Sequence, residues 1–310
     1  MKKYIIIFIS VIVCTQVSRA QQAPQYTEYM YNTIVINPAY AGSRGAPSIS
    51  ALYRSQWMGL DGSPSTQNLG ISAPITKRVG LGLSIVHDEI GNGTRQTTDF
   101  NAAFSYTIPV SYTGNLAFGL NAGGNFLNVD FSKLINYGVE TNLPNIDNKF
   151  SPNFGAGVYY YTERFYAGLS VPDFLQTKHF DNSGETSSYV AKDRMNLYLI
   201  SGYVLDLNGN VKFRPAVMIK GVSGAPLQAD VSASFMFSEK FVLGAAYRWD
   251  ATVSALASFQ VLENFMIGLA YDMDTTSLGN TEFNDGSFEI FIRYDFLNRY
   301  NQRAFKNRFF

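Results

Sequence analysis

The chain has 310 residues with 24 basic and 24 acidic side chains, so its formal charge at pH 7 is zero. This balance argues against nucleic acid as a partner, because a nucleic-acid-binding protein needs a basic surface. Charged residues make up 15% of the sequence and aromatic residues another 15%, whereas about 25% charged is typical of soluble domains. The composition favours an all-β protein whose outer surface is not strongly polar.

Residues 1–20 have the pattern of a cleaved export signal. Two lysines precede a short apolar run that ends near Cys14, and Ala20 closes a small-residue cleavage site. The run is shorter than the about 20 residues that a membrane-spanning helix needs. Cys14 would suit a lipoprotein signal, but the preceding Val13 is β-branched instead of small. Since this is the only cysteine, the mature protein is predicted to lack disulfides, thiol nucleophiles and cysteine metal sites.

Residues 21–47 show no alternation and contain Asn37-Pro38-Ala39 and Gly42. We interpret them as an N-terminal plug that partly fills the lumen of the barrel predicted below. Pro38 fixes its own φ and holds Asn37 extended. The alternative is a loose leader in the periplasm.

From residue 48 onward the sequence predicts strands separated by turn signals. Several alternate with period two, so that one face is apolar and the other is small, polar or charged. The charged positions are Lys212, Arg214, Lys220, Asp230, Arg248, Glu289 and Arg293. We predict fourteen strands, an even number as in bacterial outer-membrane barrels: 48–56, 66–74, 79–88, 96–109, 113–125, 152–161, 164–172, 196–206, 211–221, 226–237, 240–248, 251–261, 264–272 and 286–296.

A soluble sandwich would give the same alternation with its apolar face inward. Two features favour the membrane. The strands approach the 9–11 residues that a tilted spanning strand needs. Aromatic residues also cluster near strand ends, as interfacial girdles do, for example at Tyr159-Tyr160-Tyr161 and at Tyr247 with Trp249. The predicted fold is therefore a transmembrane antiparallel β-barrel over residues 48–296, in the cell outer membrane and in contact with its lipids.

The predicted connections fall into two classes. Those after even-numbered strands are short, while 126–151, 173–195 and 273–285, which follow odd-numbered strands, are long. Outer-membrane barrels have short periplasmic turns and longer outer loops, so both termini are expected in the periplasm. The tail 297–310 carries four basic and no acidic side chains and is interpreted as a solvated periplasmic tail or a partner contact.

No catalytic or cofactor site is predicted. The two histidines, His87 and His179, lie far apart in sequence, whereas a zinc site needs three or four ligands. Asp272 and Asp274 open a predicted loop without the ligand series of a calcium loop, so they indicate a solvated turn. We expect no enzymatic activity, no cofactor and no metal.

Several segments together resemble the PorP/SprF family of type IX secretion system outer-membrane proteins of Bacteroidota. They are the stretch from Gln25-Tyr26 to Ala41-Gly42, residues 52–64, residues 152–160, Gly168-Leu169-Ser170-Val171-Pro172 and Gly286-Ser287-Phe288-Glu289-Ile290. The resemblance covers essentially the whole mature sequence.

The resemblance implies two roles. SprF-like members pair with particular secreted adhesins, recognise the C-terminal sorting domain of that cargo and serve secretion, surface attachment and gliding motility. PorP-like members work with the periplasmic ring and motor lipoproteins of the translocon. The first role is favoured here, because SprF-like members are the more numerous group.

The candidate plug and partner-binding residues come from two of these segments. They are Asn37, Pro38, Ala39, Gly42, Arg54, Gln56, Trp57, Gly59, Asp61 and Gly62. Gly59 and Asp61-Gly62 supply turn chemistry that would present Trp57 and Arg54 at the top of strand one, where they would form a binding anchor. Trp57 would equally suit an interfacial girdle.

Two other functions agree less well with the sequence. A channel resembling long-chain fatty acid transporters would share fourteen strands and an N-terminal plug containing Asn-Pro-Ala, but the charged lumen face counts against a wide apolar path. An outer-membrane lipase or protease is disfavoured, because the sequence shows no nucleophile and base in a recognisable pattern.

Overall fold

The computed structural model describes residues 25–133, 145–175, 195–223, 225–276 and 284–297. In these ranges it has one antiparallel sheet of fifteen strands. The strands are β1 (Ser48–Ser55), β2 (Ser65–Pro74), β3 (Val79–Ile90), β4 (Arg95–Pro109), β5 (Asn115–Val129), β6 (Ile146–Tyr161), β7 (Phe165–Val171), β8 (Asn196–Tyr203), β9 (Leu205–Asn208), β10 (Val211–Val222), β11 (Gln228–Phe237), β12 (Phe241–Arg248), β13 (Thr252–Leu262), β14 (Phe265–Asp274) and β15 (Ser287–Asp295).

The sheet closes into a barrel with fourteen strand positions. Each strand pairs with its neighbours in sequence, and β1 also pairs with β15 from Ser48↔Asp295 to Ser55↔Phe288, which completes the ring. β8 and β9 both pair with β10 and are separated by Val204 alone, so they occupy one position. The predicted transmembrane β-barrel of fourteen strands is confirmed.

The differences from the predicted strands are local. The eighth predicted strand is broken at Val204, a buried residue whose amide donates to the carbonyl of Arg164 outside the ladder. β5 extends to Val129 and β6 begins at Ile146, so this hairpin is longer than predicted. The added part of β6 is mostly polar and contains Asn148 at φ 47, so its alternation signal is weak.

Burial follows the alternation, with the apolar face outward. On β3, Leu81, Leu83 and Ile85 are exposed, whereas Ser84 and Asp88 are buried. A soluble sandwich would bury its apolar face instead. Lipid therefore covers the outside, and the polar row faces the lumen. None of the helices in the described ranges is long and apolar enough to cross a membrane.

The two ends of the barrel differ in their connections. One end, here called the short-turn end, carries tight turns such as 75–78 between β2 and β3 and 238–240 between β11 and β12. The opposite end, the long-loop end, carries the connections 130–145, 172–195 and 275–286. This segregation agrees with the parity predicted from the sequence.

Residues 25–47, here called the N-terminal segment, lie in the lumen and are enclosed by the barrel wall. They form two 3-10 turns, Tyr29–Tyr31 and Pro38–Tyr40, with a helical turn Thr33–Ile36 between them. The segment starts beside Arg248 at the long-loop end and reaches Pro47 at the short-turn end, where β1 begins. The predicted signal 1–20, residues 21–24 and the tail beyond residue 297 lie outside the described residues, as do both termini.

Candidate functional site

The N-terminal segment is bound to the barrel wall by a buried charge cluster near the long-loop end. Arg54 of β1 pairs with Asp272 of β14 at 2.6 Å (Nη2 to Oδ2) and with Glu289 of β15 at 3.1 Å (Nη1 to Oε2). Glu289 also accepts hydrogen bonds from the backbone amides of Thr27 and Glu28 at 3.0 and 2.8 Å. Each of these charges thus has a partner, which a buried charge requires.

Thr27 completes this cluster. Its hydroxyl lies 2.7 Å from Oδ2 of Asp272, to which it donates, and it accepts from Nη1 of Arg54 at 3.1 Å. One short stretch of the segment is therefore held by three strands at once. These strands, β14, β15 and β1, are adjacent around the barrel.

A second cluster holds the first described residues of the segment. Arg248 of β12 pairs with Asp230 of β11 at 2.9 Å and donates to the side chain of Gln25 at 2.8 Å and to the carbonyl of Tyr26 at 3.2 Å. A guanidinium has five donors in a fixed fork, so a single arginine can join a carboxylate to a passing backbone.

A third cluster holds the other end of the segment. Arg44 pairs with Asp295 at 3.1 Å through Nε and through Nη2, and Arg293 approaches the same carboxylate at 3.4 Å. Asp295 ends β15 at the short-turn end. The segment is thus held by ion pairs or charge-assisted hydrogen bonds at both ends of the barrel.

Between these clusters the segment packs through aromatic contacts. The ring of Tyr31 stacks on Phe291 with centroids 4.5 Å apart. The guanidinium groups of Arg214 and Arg293 lie 5.1 and 5.3 Å from the centroid of the Tyr31 ring. Such cation–π contacts are favourable where the cation is desolvated, so Tyr31 provides a partner for charge in the middle of the lumen.

Burial raises the pKa of Glu28 well above its ordinary value, and the nearby carboxylate of Glu289 raises it further. The neutral form of the Glu28 carboxyl is therefore favoured.

The predicted Asn37-Pro38-Ala39 motif lies against wall positions that lack side chains. Asn37 is extended at φ −141°, accepts from the Ala39 amide at 2.9 Å and donates to the Val158 carbonyl at 3.1 Å. A Cβ on Gly119 would overlap the backbone of Ala39, and one on Gly157 would overlap the Asn37 side chain. Glycines on β5 and β6 therefore make room for this turn.

Gly42 lies in a similar close approach. Its φ is +71°, its amide donates to the Ser72 hydroxyl at 2.8 Å, and a Cβ on it would lie 2.8 Å from the Cα of Gly80. Both the backbone angle and the space require glycine here.

The other candidates form a rim at the long-loop end. The amide of Gln56 donates to Pro64, and Trp57 adopts φ 47 with its amide 3.2 Å from the hydroxyl oxygen of Ser287. Asp61 accepts from the side-chain amide of Asn92 at 2.8 Å. Gly59 and Gly62 have φ of 94 and 74, which only glycine adopts easily. The loop 56–64 is thus hydrogen-bonded to neighbours on both sides.

The structure separates two residues that the sequence interpretation placed together. Trp57 lies in the rim loop and is half-buried, but Arg54 is 2% exposed and points into the lumen. Arg54 is therefore not part of an exposed anchor. The interpretation of Asp272 as part of a solvated turn is also wrong, because Asp272 lies within β14 and pairs with Arg54.

Sequence reasoning missed Thr27, Tyr31 and Arg44 as partners of the charged lumen face. The available signal was the unusual number of charges on inward positions, which required partners from somewhere. Of the predicted inward charges, Lys212 lies at the short-turn end and pairs with Glu239, while the other six are buried. In the described ranges, no group of three or more His, Cys, Asp or Glu side chains is placed to hold a metal ion.

One cavity beside the first half of the segment is small. A cavity lined by Gln25, Tyr26, Tyr198 and Lys220 has a volume of about 10 Å³, which is room for about one water. A larger apolar hollow of about 560 Å³ lies on the outer face around Phe118, Leu120 and Leu169, where lipid is expected.

Comparison with known proteins gives a family and a general architecture. The family described as type IX secretion system membrane protein PorP/SprF matches residues 18–294. No curated protein matches this sequence.

Several solved structures are similar to this chain at low identity. The outer membrane protein Omp33 of Acinetobacter baumannii is 8% identical, with a TM-score of 0.47 over 81% of this chain and 98% of that one. A FadL homologue of Pseudomonas aeruginosa is 14% identical, with a TM-score of 0.46 over 89% and 95%. The CymD monoaromatic hydrocarbon channel is 12% identical, with a TM-score of 0.48 over 86% and 93%.

Proposed function

The chain belongs to the PorP/SprF family of type IX secretion system membrane proteins. From this premise we propose that it binds one particular secreted adhesin by recognising the C-terminal sorting domain of that adhesin. Binding would serve the secretion of that cargo or its attachment to the cell surface, and so adhesion or gliding motility. The role is non-enzymatic and needs no cofactor.

One observation supports a binding role over a conducting one: the lumen is occupied by the protein's own residues. An ion pair of Arg44 holds the N-terminal segment at the short-turn end, and a hydrogen bond from Arg248 to Gln25 holds it at the long-loop end. The cavity beside Lys220 holds about one water. We therefore assign the segment as a plug. A fatty-acid path would need an apolar route past Arg54, Arg214 and Arg248, whose side chains fill this region.

The loop lengths support one orientation. Short turns face the periplasm in outer-membrane barrels, so we propose that the short-turn end and the C-terminal tail face the periplasm. The protein is exported through a signal over residues 1–20. The N-terminal side differs from the sequence expectation, because Gln25 lies at the long-loop end beside Arg248. In this orientation the first described residue lies towards the cell surface.

The test is a chromosomal deletion complemented with the intact gene. We expect one large cargo to be lost from the cell surface or the medium, while other type IX cargo is secreted normally. That cargo should co-purify with the barrel from detergent extracts. Normal secretion of every type IX cargo in the deletion strain, with gliding and adhesion intact, would overturn the proposal.

A second role within the family is contact with the periplasmic ring lipoproteins. It predicts that deletion stops all type IX cargo at once and that the ring lipoproteins co-purify with the barrel. The same strain and the same extract therefore distinguish the two roles.

A further inference from the structure

The short-turn end holds a pocket that the contacts described above do not use. It lies between the bend of the N-terminal segment and the turn that joins β2 to β3, and its volume is about 380 Å³. Gly42 and Gly45 of the segment line it, as do Lys77 and Arg78 of the turn. Thr107, which also lines it, belongs to the inward row of β4. The pocket therefore opens at the mouth of the lumen instead of on the lipid-facing surface.

The charges at this pocket have one sign. Lys77 and Arg78 are both exposed, and its lining contains no acidic residue. In the part of the protein that the structure describes, neither cation forms an ion pair with a carboxylate. Other short turns at this end differ, since Arg164 pairs with Asp206 and Lys212 with Glu239.

The wall that the segment supplies is backbone. Gly42 and Gly45 have φ of 71 and 77, and the approach of Gly42 to Gly80 leaves no space for a side chain. The wall therefore presents main chain instead of side chains to whatever enters, with the Gly42 amide bonded to Ser72 and the Gly45 amide bonded to the Gly42 carbonyl. A volume of about 380 Å³ lies within the 300–1,000 Å³ usual for ligand clefts. Two cations that lack a carboxylate partner select an anionic group.

We propose that this pocket binds a carboxylate of an extended polypeptide that reaches the short-turn end. The inference rests on the proposed function, which places this end in the periplasm, where cargo and ring lipoproteins are found. A polypeptide suits the site better than a phospholipid, because Ala41 and Thr107 line the pocket from the lumen side, which lipid on the outer face does not reach. The carboxylate comes from the C-terminus of the polypeptide or from one of its acidic residues.

Three fluorescein-labelled octapeptides of Gly and Ser separate these sources. One ends in a free carboxylate, one in an amide, and one carries an internal Glu and an amide end. Binding to the purified full-length barrel in detergent is measured by fluorescence anisotropy. We expect at least one carboxylate peptide to bind about fivefold or more tightly than the neutral amide, because charge-assisted hydrogen bonds are the stronger kind. The peptide that binds identifies the source.

The matched variants test the location. Lys77→Ala combined with Arg78→Ala should remove the difference between acid and amide. Lys240→Ala, which removes an exposed cation from another short turn at the same end, should leave it intact. All of these side chains are exposed, so the variants are expected to fold. The heat-modifiable mobility of the barrel on gels tests whether they do.

Three outcomes overturn the proposal: equal binding of all peptides, an equal loss of binding in the Lys240→Ala variant, or displacement of the peptide by inorganic phosphate at lower concentration than by acetate. The last would indicate a phosphate or lipid head-group site. Failure of the proposed function would show instead as normal cargo secretion in the deletion strain. The peptide-binding measurement is independent of that result.

Discussion

Arg54 and Glu289 form an ion pair of 3.1 Å between Nη1 and Oε2, although 235 residues separate them in the sequence. They face each other in the register that closes the barrel, where Arg54 pairs with Glu289 between β1 and β15. The carboxylate that meets Arg54 also accepts the amides of Thr27 and Glu28. The same two side chains therefore join the strands that close the ring and contact the N-terminal segment.

Replacing Arg54 by methionine should destabilise the barrel strongly. The substitution leaves Asp272 and Glu289 buried beside each other without their cation, and breaking a buried pair costs about 3–5 kcal/mol. Urea unfolding in detergent, followed by the loss of heat-modifiable mobility on gels, measures the effect. Arg164→Met is the control, because Arg164 pairs with Asp206 at the surface with side chains 60% and 41% exposed. Exposed pairs are worth about 0–1 kcal/mol. Equal effects from the two substitutions would contradict the buried cluster.

The substitution Gly119→Ala should weaken the packing of the N-terminal segment against the barrel wall. The new Cβ would overlap backbone atoms of Pro38 and Ala39, and backbone gives way less easily than a side chain. Overpacking of this kind costs about 1–3 kcal/mol. The urea midpoint should fall, and protease should cut residues 25–47 more rapidly.

Gly221→Ala supplies the matched control for this substitution. Gly221 also lies within a strand, but a Cβ on it would have its nearest neighbour at 3.8 Å. Its stability should stay the same or rise slightly, because alanine narrows the unfolded ensemble by about 0.4–1 kcal/mol. A Gly119→Ala protein as stable as Gly221→Ala would show that the segment does not press on the wall.

The contrast between strands and segment shows what the sequence makes predictable. Period-two alternation is a local signal, so β3 or β15 can be recognised from their own residues. The position of the N-terminal segment in the lumen depends instead on contacts such as Thr27 with Asp272 or Arg44 with Asp295. The residues of these pairs lie 245 and 251 positions apart in the sequence. No local pattern encodes which inward charge meets which residue. The inward charges predicted that partners must exist, but only the closed barrel identifies them.

The same limit applies to Arg54 and Trp57. Their spacing in sequence suggests a joint site, yet the alternation of β1 points Arg54 inward, and the left-handed backbone at Trp57 then turns the polypeptide into the rim loop. A single residue with positive φ changes the direction of the backbone, and tryptophan gives no sequence signal for such a conformation.

Replacing Glu28 by glutamine should leave stability at neutral pH unchanged or raise it. Burial raises the pKa of Glu28 well above its ordinary value, so the folded barrel opposes ionisation of this carboxyl and the unfolded state does not. Stability of the native protein should therefore fall as pH rises from the unfolded pKa of about 4.3 towards the higher folded pKa. The advantage of Glu28→Gln should grow over that interval and then level off.

Urea midpoints of both proteins across a pH series measure this difference directly. Glu289→Gln is the contrast. The Glu289 carboxylate accepts hydrogen bonds from two backbone amides and pairs with Arg54, so removing its charge should destabilise the barrel at neutral pH. An advantage of Glu28→Gln that shrinks as pH rises would contradict the assignment of a raised pKa.

Single cysteines should report which end of the barrel faces the cell surface. The only cysteine of the sequence lies at position 14, in the predicted signal, so an introduced cysteine would be the only thiol in the mature protein. Asp61→Cys places it in an exposed loop at the long-loop end, and Gly209→Cys places it in an exposed short turn. A membrane-impermeant maleimide should label the first in intact cells and the second only after the outer membrane is opened. The reverse pattern would invert the proposed orientation and move the pocket at Lys77 and Arg78 to the cell surface.

Trp57→Gly should separate a partner-binding rim from an interfacial girdle. Trp57 adopts φ 47, a conformation that costs a bulky residue on the order of 1–3 kcal/mol and that glycine adopts freely. The barrel should therefore stay as stable or become more stable, while cargo secretion falls severalfold if the indole ring contacts a partner.

The other tryptophan, Trp249, is 71% exposed at the end of β12 and supplies the control as Trp249→Ala. A girdle role for Trp57 predicts instead that both variants keep normal secretion and extract more readily into mild detergent. Because stability and secretion move in opposite directions only if Trp57 is held in its strained conformation for binding, measuring both on the same variant decides between the two interpretations.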